Sequence, residues 1–68
     1  MELIEKISTN IEKRRKELGI STDRLSKKAD ISVSTLIKIK RRETKDLYVS
    51  TLLALANGLE CKIEDLVY

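Results

Sequence analysis

Leu25-Ser26-Lys27-Lys28-Ala29-Asp30-Ile31-Ser32-Val33-Ser34-Thr35-Leu36-Ile37-Lys38-Ile39 is the stretch that decides the fold of this 68-residue chain. Leu25 and Ala29 stand four apart, and Leu36 and Ile39 stand three apart. Those spacings set apolar side chains on one face of a helix. Between the two pairs, Asp30-Ile31-Ser32 is too short for anything but a tight turn. Ser21, with Asp23 in the turn behind it, is a good N-cap for the first helix, and Ser32 caps the second. The pattern predicts helices over about residues 22–29 and 33–41, packed through those four apolar residues at a fixed, steep crossing.

Upstream, Leu3, Ile4, Ile7, Ile11 and Leu18 recur at helical spacing and predict a helix over about 3–18. Glu2 and Glu5 near its start, and Lys13-Arg14-Arg15-Lys16 near its end, complement the helix dipole, and Gly19 supplies a left-handed stop. Downstream, residues 42–48 are polar and irregular. A fourth helix opens at Val49 or Ser50 and carries Leu52, Leu53, Leu55, Ala56 and Leu59. Gly58 is expected inside that helix, at roughly 1 kcal/mol relative to alanine, because Leu59 continues the apolar face. A short fifth helix over about 63–67 turns Ile63, Leu66 and Val67 inward, with Glu64 and Asp65 in its first turn and Lys62 as a poor cap. The expected fold class is all-α, a compact five-helix bundle forming one domain over 1–68 without tails.

Composition removes several function classes. Histidine is absent, no glycine-rich phosphate loop occurs, and the single cysteine has no base beside it, so catalysis is not expected and neither a metal nor a cofactor is implied. Cys61 cannot form an internal disulfide, which suits a reducing cytosol, and its apolar company (Ile63, Leu66) suggests a small buried hydrophobe. No apolar run approaches the roughly 18 residues of a membrane span, and no signal-peptide core follows Met1. A cytoplasmic protein without membrane association is the expectation. The net charge of +3 is unevenly spread: of 14 Lys/Arg, all but Lys62 lie in residues 1–48, while Glu60, Glu64 and Asp65 make the remainder acidic. Such asymmetry fits one face meeting a polyanion, or equally a mixed solvated surface.

The pattern Leu25-Ser26-x-x-Ala29-Asp30-Ile31-Ser32-x-Ser34-Thr35-Leu36-x-x-Ile39 resembles the Cro/C1-type (XRE family) helix-turn-helix. Thr51-Leu52-Leu53-Ala54-Leu55-Ala56-x-x-Leu59 and Ile63-Glu64-Asp65-Leu66 look like the same family's fourth and fifth helices, so the resemblance covers nearly the whole chain in register. It implies a lambda-repressor-like DNA-binding domain of bacterial or phage origin. The implied function is a sequence-specific transcriptional regulator of double-stranded DNA, a repressor acting as a homodimer on a palindromic operator. Ser26 supplies the small residue wanted where the two helices approach. Four positions depart from the family pattern. Asp30 stands where the turn usually has glycine, and aspartate tolerates the left-handed region better than most residues. Arg42 replaces the usual glycine after the third helix, and the proline before the fourth is replaced around Leu47. A glutamate late in the third helix, paired with an arginine late in the first, is replaced by Lys40 opposite Arg15, which would leave two like charges free for phosphate.

The resemblance implies which side chains meet DNA. Val33, Ser34 and Lys38 reach base edges: Lys38 toward guanine, Ser34 toward several bases and Val33 toward a thymine methyl, with Ile37 a weaker apolar candidate. The alternatives are packing for Val33 and Ile37 and a plain helix-start role for Ser34. Thr22, Ser32, Thr35, Arg14, Arg15, Lys40, Arg41, Arg42 and Lys45 are the phosphate candidates, each of which could instead be solvated surface. Leu47, Tyr48, Val67 and Tyr68 are candidate dimer-interface residues, or else close the single-chain core. No small-molecule ligand is implied. The competing reading is a protein-interaction module that keeps this fold while its main ligand is a protein partner.

Overall fold

Helices form where the apolar spacing places them. The computed structural model describes residues 3–44 and 47–68, so Glu2 and Lys45 lie outside the described residues. The elements are α1 (Leu3–Leu18), α2 (Thr22–Ala29), α3 (Val33–Lys40), α4 (Val49–Gly58) and α5 (Glu64–Val67), with no strand among the described residues. Ser21 Oγ accepts from the Arg24 N–H at 3.0 Å and Ser32 Oγ accepts from the Thr35 N–H at 3.2 Å, so both expected caps form. Such a cap contributes about 1 kcal/mol. No side chain caps α4, which begins after Tyr48 in extended backbone. Lys62 is indeed no side-chain cap for α5: its N–H donates to Asp65 Oδ2 at 3.0 Å, so the acid inside the helix reaches back to the residue before it.

Four helices end in the same backbone closure. A residue in the left-handed region follows the helix, and two N–H groups bond back onto the last carbonyls that the helix leaves unpaired. Gly19 (φ 67°), Asp30 (56°), Arg42 (59°) and Glu60 (56°) occupy that position after α1, α2, α3 and α4. The longer bond of each closure runs from Ile20 to Arg15, Ile31 to Ser26, Glu43 to Lys38 and Cys61 to Ala56, at 3.3, 2.9, 2.9 and 2.9 Å. Asp30 therefore makes the turn without glycine, and Arg42 does what the usual glycine would. Three boundaries fall one residue from expectation. α3 ends at Lys40 with Arg41 as its cap, α5 starts at Glu64, and α4 ends at Gly58 with Leu59 as its cap.

Gly58 has a packing reason. A β-carbon there would meet the Ala29 Cβ at 3.0 Å and the Ala29 backbone nitrogen at 3.1 Å. Glycine at 58 and alanine at 29 are what let α4 lie directly on α2. α2 also packs on α3, α1 packs on α3 and α5, and α4 touches α5. The core is made of Ile4, Ile7, Ile11, Leu25, Ala29, Leu36, Ile39, Leu52, Leu55, Ala56, Leu59 and Leu66. Ser26 is buried between the helices as its size requires, its hydroxyl donating to the Asp23 carbonyl at 2.6 Å. Leu3 and Leu53, counted with the apolar runs in the sequence, face solvent instead. Asn10 Nδ2 donates to the Leu66 carbonyl at 2.9 Å, which fastens the short α5 to α1. Among the described residues, no buried side-chain nitrogen or oxygen lacks a partner.

Candidate nucleic-acid interface

α3 is held from one side and open on the other. Leu36 and Ile39 are 4% and 1% exposed against Leu25, Ala29 and the rest of the core. The outward side carries Ser34, Ile37 and Lys38, with Val33 half-buried at its start. Ser34 and Lys38 are one turn apart and so point the same way, a hydroxyl beside an ammonium. Nothing in the core depends on either. Lys38 forms no ion pair among the described residues, unlike Arg41, whose guanidinium lies 3.9 Å from Glu43.

The structure divides the phosphate candidates. Thr22 is half-buried in the first turn of α2, beside Lys40 and Arg15 at the rim of a dimple of about 20 Å³, room for about one water. Ser32 and Thr35 share a hydroxyl–hydroxyl bond of 2.8 Å at the start of α3. Arg41 and Arg42 are exposed at its end, and Lys45 lies outside the described residues. Arg14 is drawn away from α3: its Nε donates to the Leu59 carbonyl at 3.0 Å and its Nη2 to the Glu60 carbonyl at 3.3 Å.

The expected confrontation of two like charges at Arg15 and Lys40 does not occur. Glu12 stands between them, with Oε2 2.6 Å from Arg15 Nε and Oε1 3.3 Å from Lys40 Nζ. Arg15 also donates to the Ile20 carbonyl at 2.7 Å. Partial burial pushes the Glu12 carboxyl up, but the hydrogen bonds and charges of Arg15 and Lys40 outweigh it and hold the group below the usual carboxylate range. Glu12 is a residue the sequence reading passed over. Its spacing of three from Arg15 was a visible sign, while its link to Lys40 depends on how α1 meets α3.

The dimer candidates also divide. Leu47 and Val67 are half-buried against the protein's own core, whereas Tyr48 and Tyr68 are 82% and 84% exposed. Beside Tyr48, Val49 and Leu53 on α4 are exposed as well, one turn apart, which the sequence reading did not single out. An open groove of about 690 Å³ runs between α1 and the end of α4, touching no residue of α3. There Lys13, Arg14 and Lys62 face Glu17, Glu60 and Asp65, so its charges cancel. Cys61 lines it half-buried, and burial, then the Asp65 charge, raises its thiol pKa against the opposing effect of Arg14. A protonated thiol is a poor nucleophile. No helix among the described residues is long and apolar enough to cross a membrane.

Neither a curated protein nor a solved structure matches the chain. A family model described as Cro/C1-type HTH DNA-binding domain matches residues 10–68, from the middle of α1 through the whole of α5. With two helices, a left-handed turn at Asp30 and an outward face on α3, the chain belongs to the Cro/C1-type helix-turn-helix DNA-binding domains.

Proposed function

We propose that this DNA-binding domain is a sequence-specific transcriptional repressor that lays α3 in the major groove and works as a homodimer on a palindromic operator. The observation that carries the reading is the division of α3. Two side chains lock the helix into the core while Val33, Ser34, Ile37 and Lys38 stand free of it. A major groove about 12 Å wide admits such a helix, and its base edges offer partners for these groups. Lys38 donates to guanine, Ser34 exchanges a hydrogen bond with a base, and Val33 presses on a thymine methyl. Thr22, Ser32, Thr35, Arg41 and Arg42 flank that face and contact the backbone, fixing register without reading sequence. Blocking a promoter needs only occupancy, which favours repression over activation as the output.

A single module buries little surface, and two copies on half-sites about 34 Å apart supply the missing affinity. The exposed Tyr48, Val49 and Leu53 are the apolar surface that supports pairing. The same patch is the observation behind the second reading, a module whose main ligand is another protein.

Selection from a randomised duplex pool, followed by fluorescence anisotropy of the winning sequence at several salt concentrations, tests the proposal. A two-fold symmetric site with two chains per duplex and affinity that falls steeply with salt is expected. Failure of any sequence to enrich would sink it. Lys38→Glu with Arg41→Glu separates the readings, abolishing duplex binding in the first and sparing partner binding in the second.

A further inference from the structure

Three charged side chains from α1 and α3 meet beside the outward face. Glu12 presents both carboxylate oxygens, one to Arg15 and one to Lys40. The Arg15 cation is held twice over, while the Lys40 ammonium is held by Glu12 and the Lys40 backbone by α1. Arg15 is 84% withdrawn from solvent as a side chain, being only 16% exposed, and bonds a backbone carbonyl with a second nitrogen. The carbonyl of Lys40 lies 3.4 Å from the Ser8 hydroxyl, so its backbone is also tied to α1. The Lys40 side chain is 56% exposed, close enough to solvent to swing toward a passing phosphate if nothing held it.

Affinity for a polyanion grows with the number of cations that displace condensed counterions from its phosphates. A cation already matched by a carboxylate must first leave it, so it adds little to that count. We infer that Glu12 is a positioning residue that, anchored by Arg15, withholds Lys40 from the DNA backbone and pins the end of α3 to α1. Phosphate attraction at that end then falls to Arg42, which forms no ion pair among the described residues, and to Arg41. The Arg41 side chain is 71% exposed, meets Glu43 only at 3.9 Å and is easily released, while α3 keeps the tilt that serves Val33, Ser34 and Lys38. Non-specific attraction is thereby kept low relative to base reading. The inference rests on the DNA-reading proposal above.

The test is the slope of log affinity against log salt on a duplex of mixed sequence. The wild-type protein is compared with Glu12→Gln, Lys40→Gln and the double variant, each checked for helicity by circular dichroism. Glu12→Gln is expected to steepen the slope by about one unit, the value of one added phosphate contact. Adding Lys40→Gln to it should cancel that gain. Lys40→Gln alone should leave the wild-type slope unchanged, and so should Glu64→Gln, which adds the same charge on α5. A purely structural Glu12 would lower the melting temperature with no change of slope, and that result overturns the inference. If Glu12→Gln does not fold, Lys40→Gln alone decides, since a slope shallower by about one unit would show that Lys40 already contacts phosphate. A wild-type protein with no salt-dependent duplex binding overturns the DNA reading and this inference together. Binding with the wrong slope pattern overturns only the inference.

Discussion

Lys38 and Glu12 show how differently two charged residues of one small domain can be used. Lys38 is unpaired among the described residues and sits one turn from Ser34 on an open face. Lys38→Ala is expected to weaken binding to the selected operator by about 1–3 kcal/mol and to relax preference at one base pair, because a lost base contact removes discrimination. Arg41→Ala should instead weaken binding to all sequences alike. Anisotropy titrations on the operator and on single-base variants distinguish these outcomes, and uniform weakening by Lys38→Ala would remove it from the base-reading set. Glu12 is bound up with stability. Its folded-state pKa lies below the unfolded value, so its contribution is fully present above the ordinary carboxylate pKa of about 4.3 and disappears as pH falls through the lower folded value. Melting temperatures of wild type and Glu12→Gln should therefore differ at neutral pH and converge as the solution is acidified below about pH 4. A difference that persists unchanged to low pH would show that the carboxylate charge is not what holds the site.

At the level of the helices, the sequence carried most of the plan through local rules. The caps at Ser21 and Ser32, the stop at Gly19 and the strained turn at Asp30 all follow from side-chain chemistry within a few residues. What it did not carry was any fact that depends on two helices meeting. Gly58 looked like a tolerated flaw inside α4 and is in truth the contact surface for Ala29. Gly58→Ala gains helix propensity worth about 1 kcal/mol, but its methyl meets Ala29 at 3.0–3.2 Å and α2 must give way for it, and overpacking of this kind costs about 1–3 kcal/mol. The expected result is a lower melting temperature by circular dichroism, and a rise would show that α2 and α4 can separate without cost. Arg42 is the opposite case, an exposed residue whose left-handed backbone glycine would adopt freely. Arg42→Gly is expected to stabilise the domain by about 1 kcal/mol, raising its melting temperature by about 4–8 °C for a domain of this size. No change would indicate that the arginine side chain offsets the strain by contacts of its own.

For the molecule as a whole, the radius of gyration of 10.4 Å is close to the roughly 11 Å of a well-packed chain this long. A core of this size leaves little stability in reserve, since a domain near 60 residues buries only about 60% of the surface its unfolded chain exposes. Apolar residues left outside are therefore conspicuous. Tyr48 is singled out in the sequence as an interface candidate, but Val49 and Leu53 are not separable there from the buried Leu52 and Leu55, because only packing decides which side of the helix faces in. If two copies pair through that patch, Leu53→Lys should give a monomer by sedimentation velocity with its helicity retained. The same variant should need a higher protein concentration to occupy the operator. A Leu53→Lys protein that still sediments as a dimer would place the pairing surface elsewhere.

The division of labour on α3 also bears on how such a protein can change. Leu36 and Ile39 hold the helix, while Ser34, Ile37 and Lys38 face out and Val33 sits at its half-open start. No position serves both purposes. The frame and the message are written in different letters of the same short word, so the outward letters can be rewritten without respelling the frame. If the outward residues read bases as proposed, a chain built this way can acquire a new genomic address by a few substitutions that the folding free energy scarcely registers.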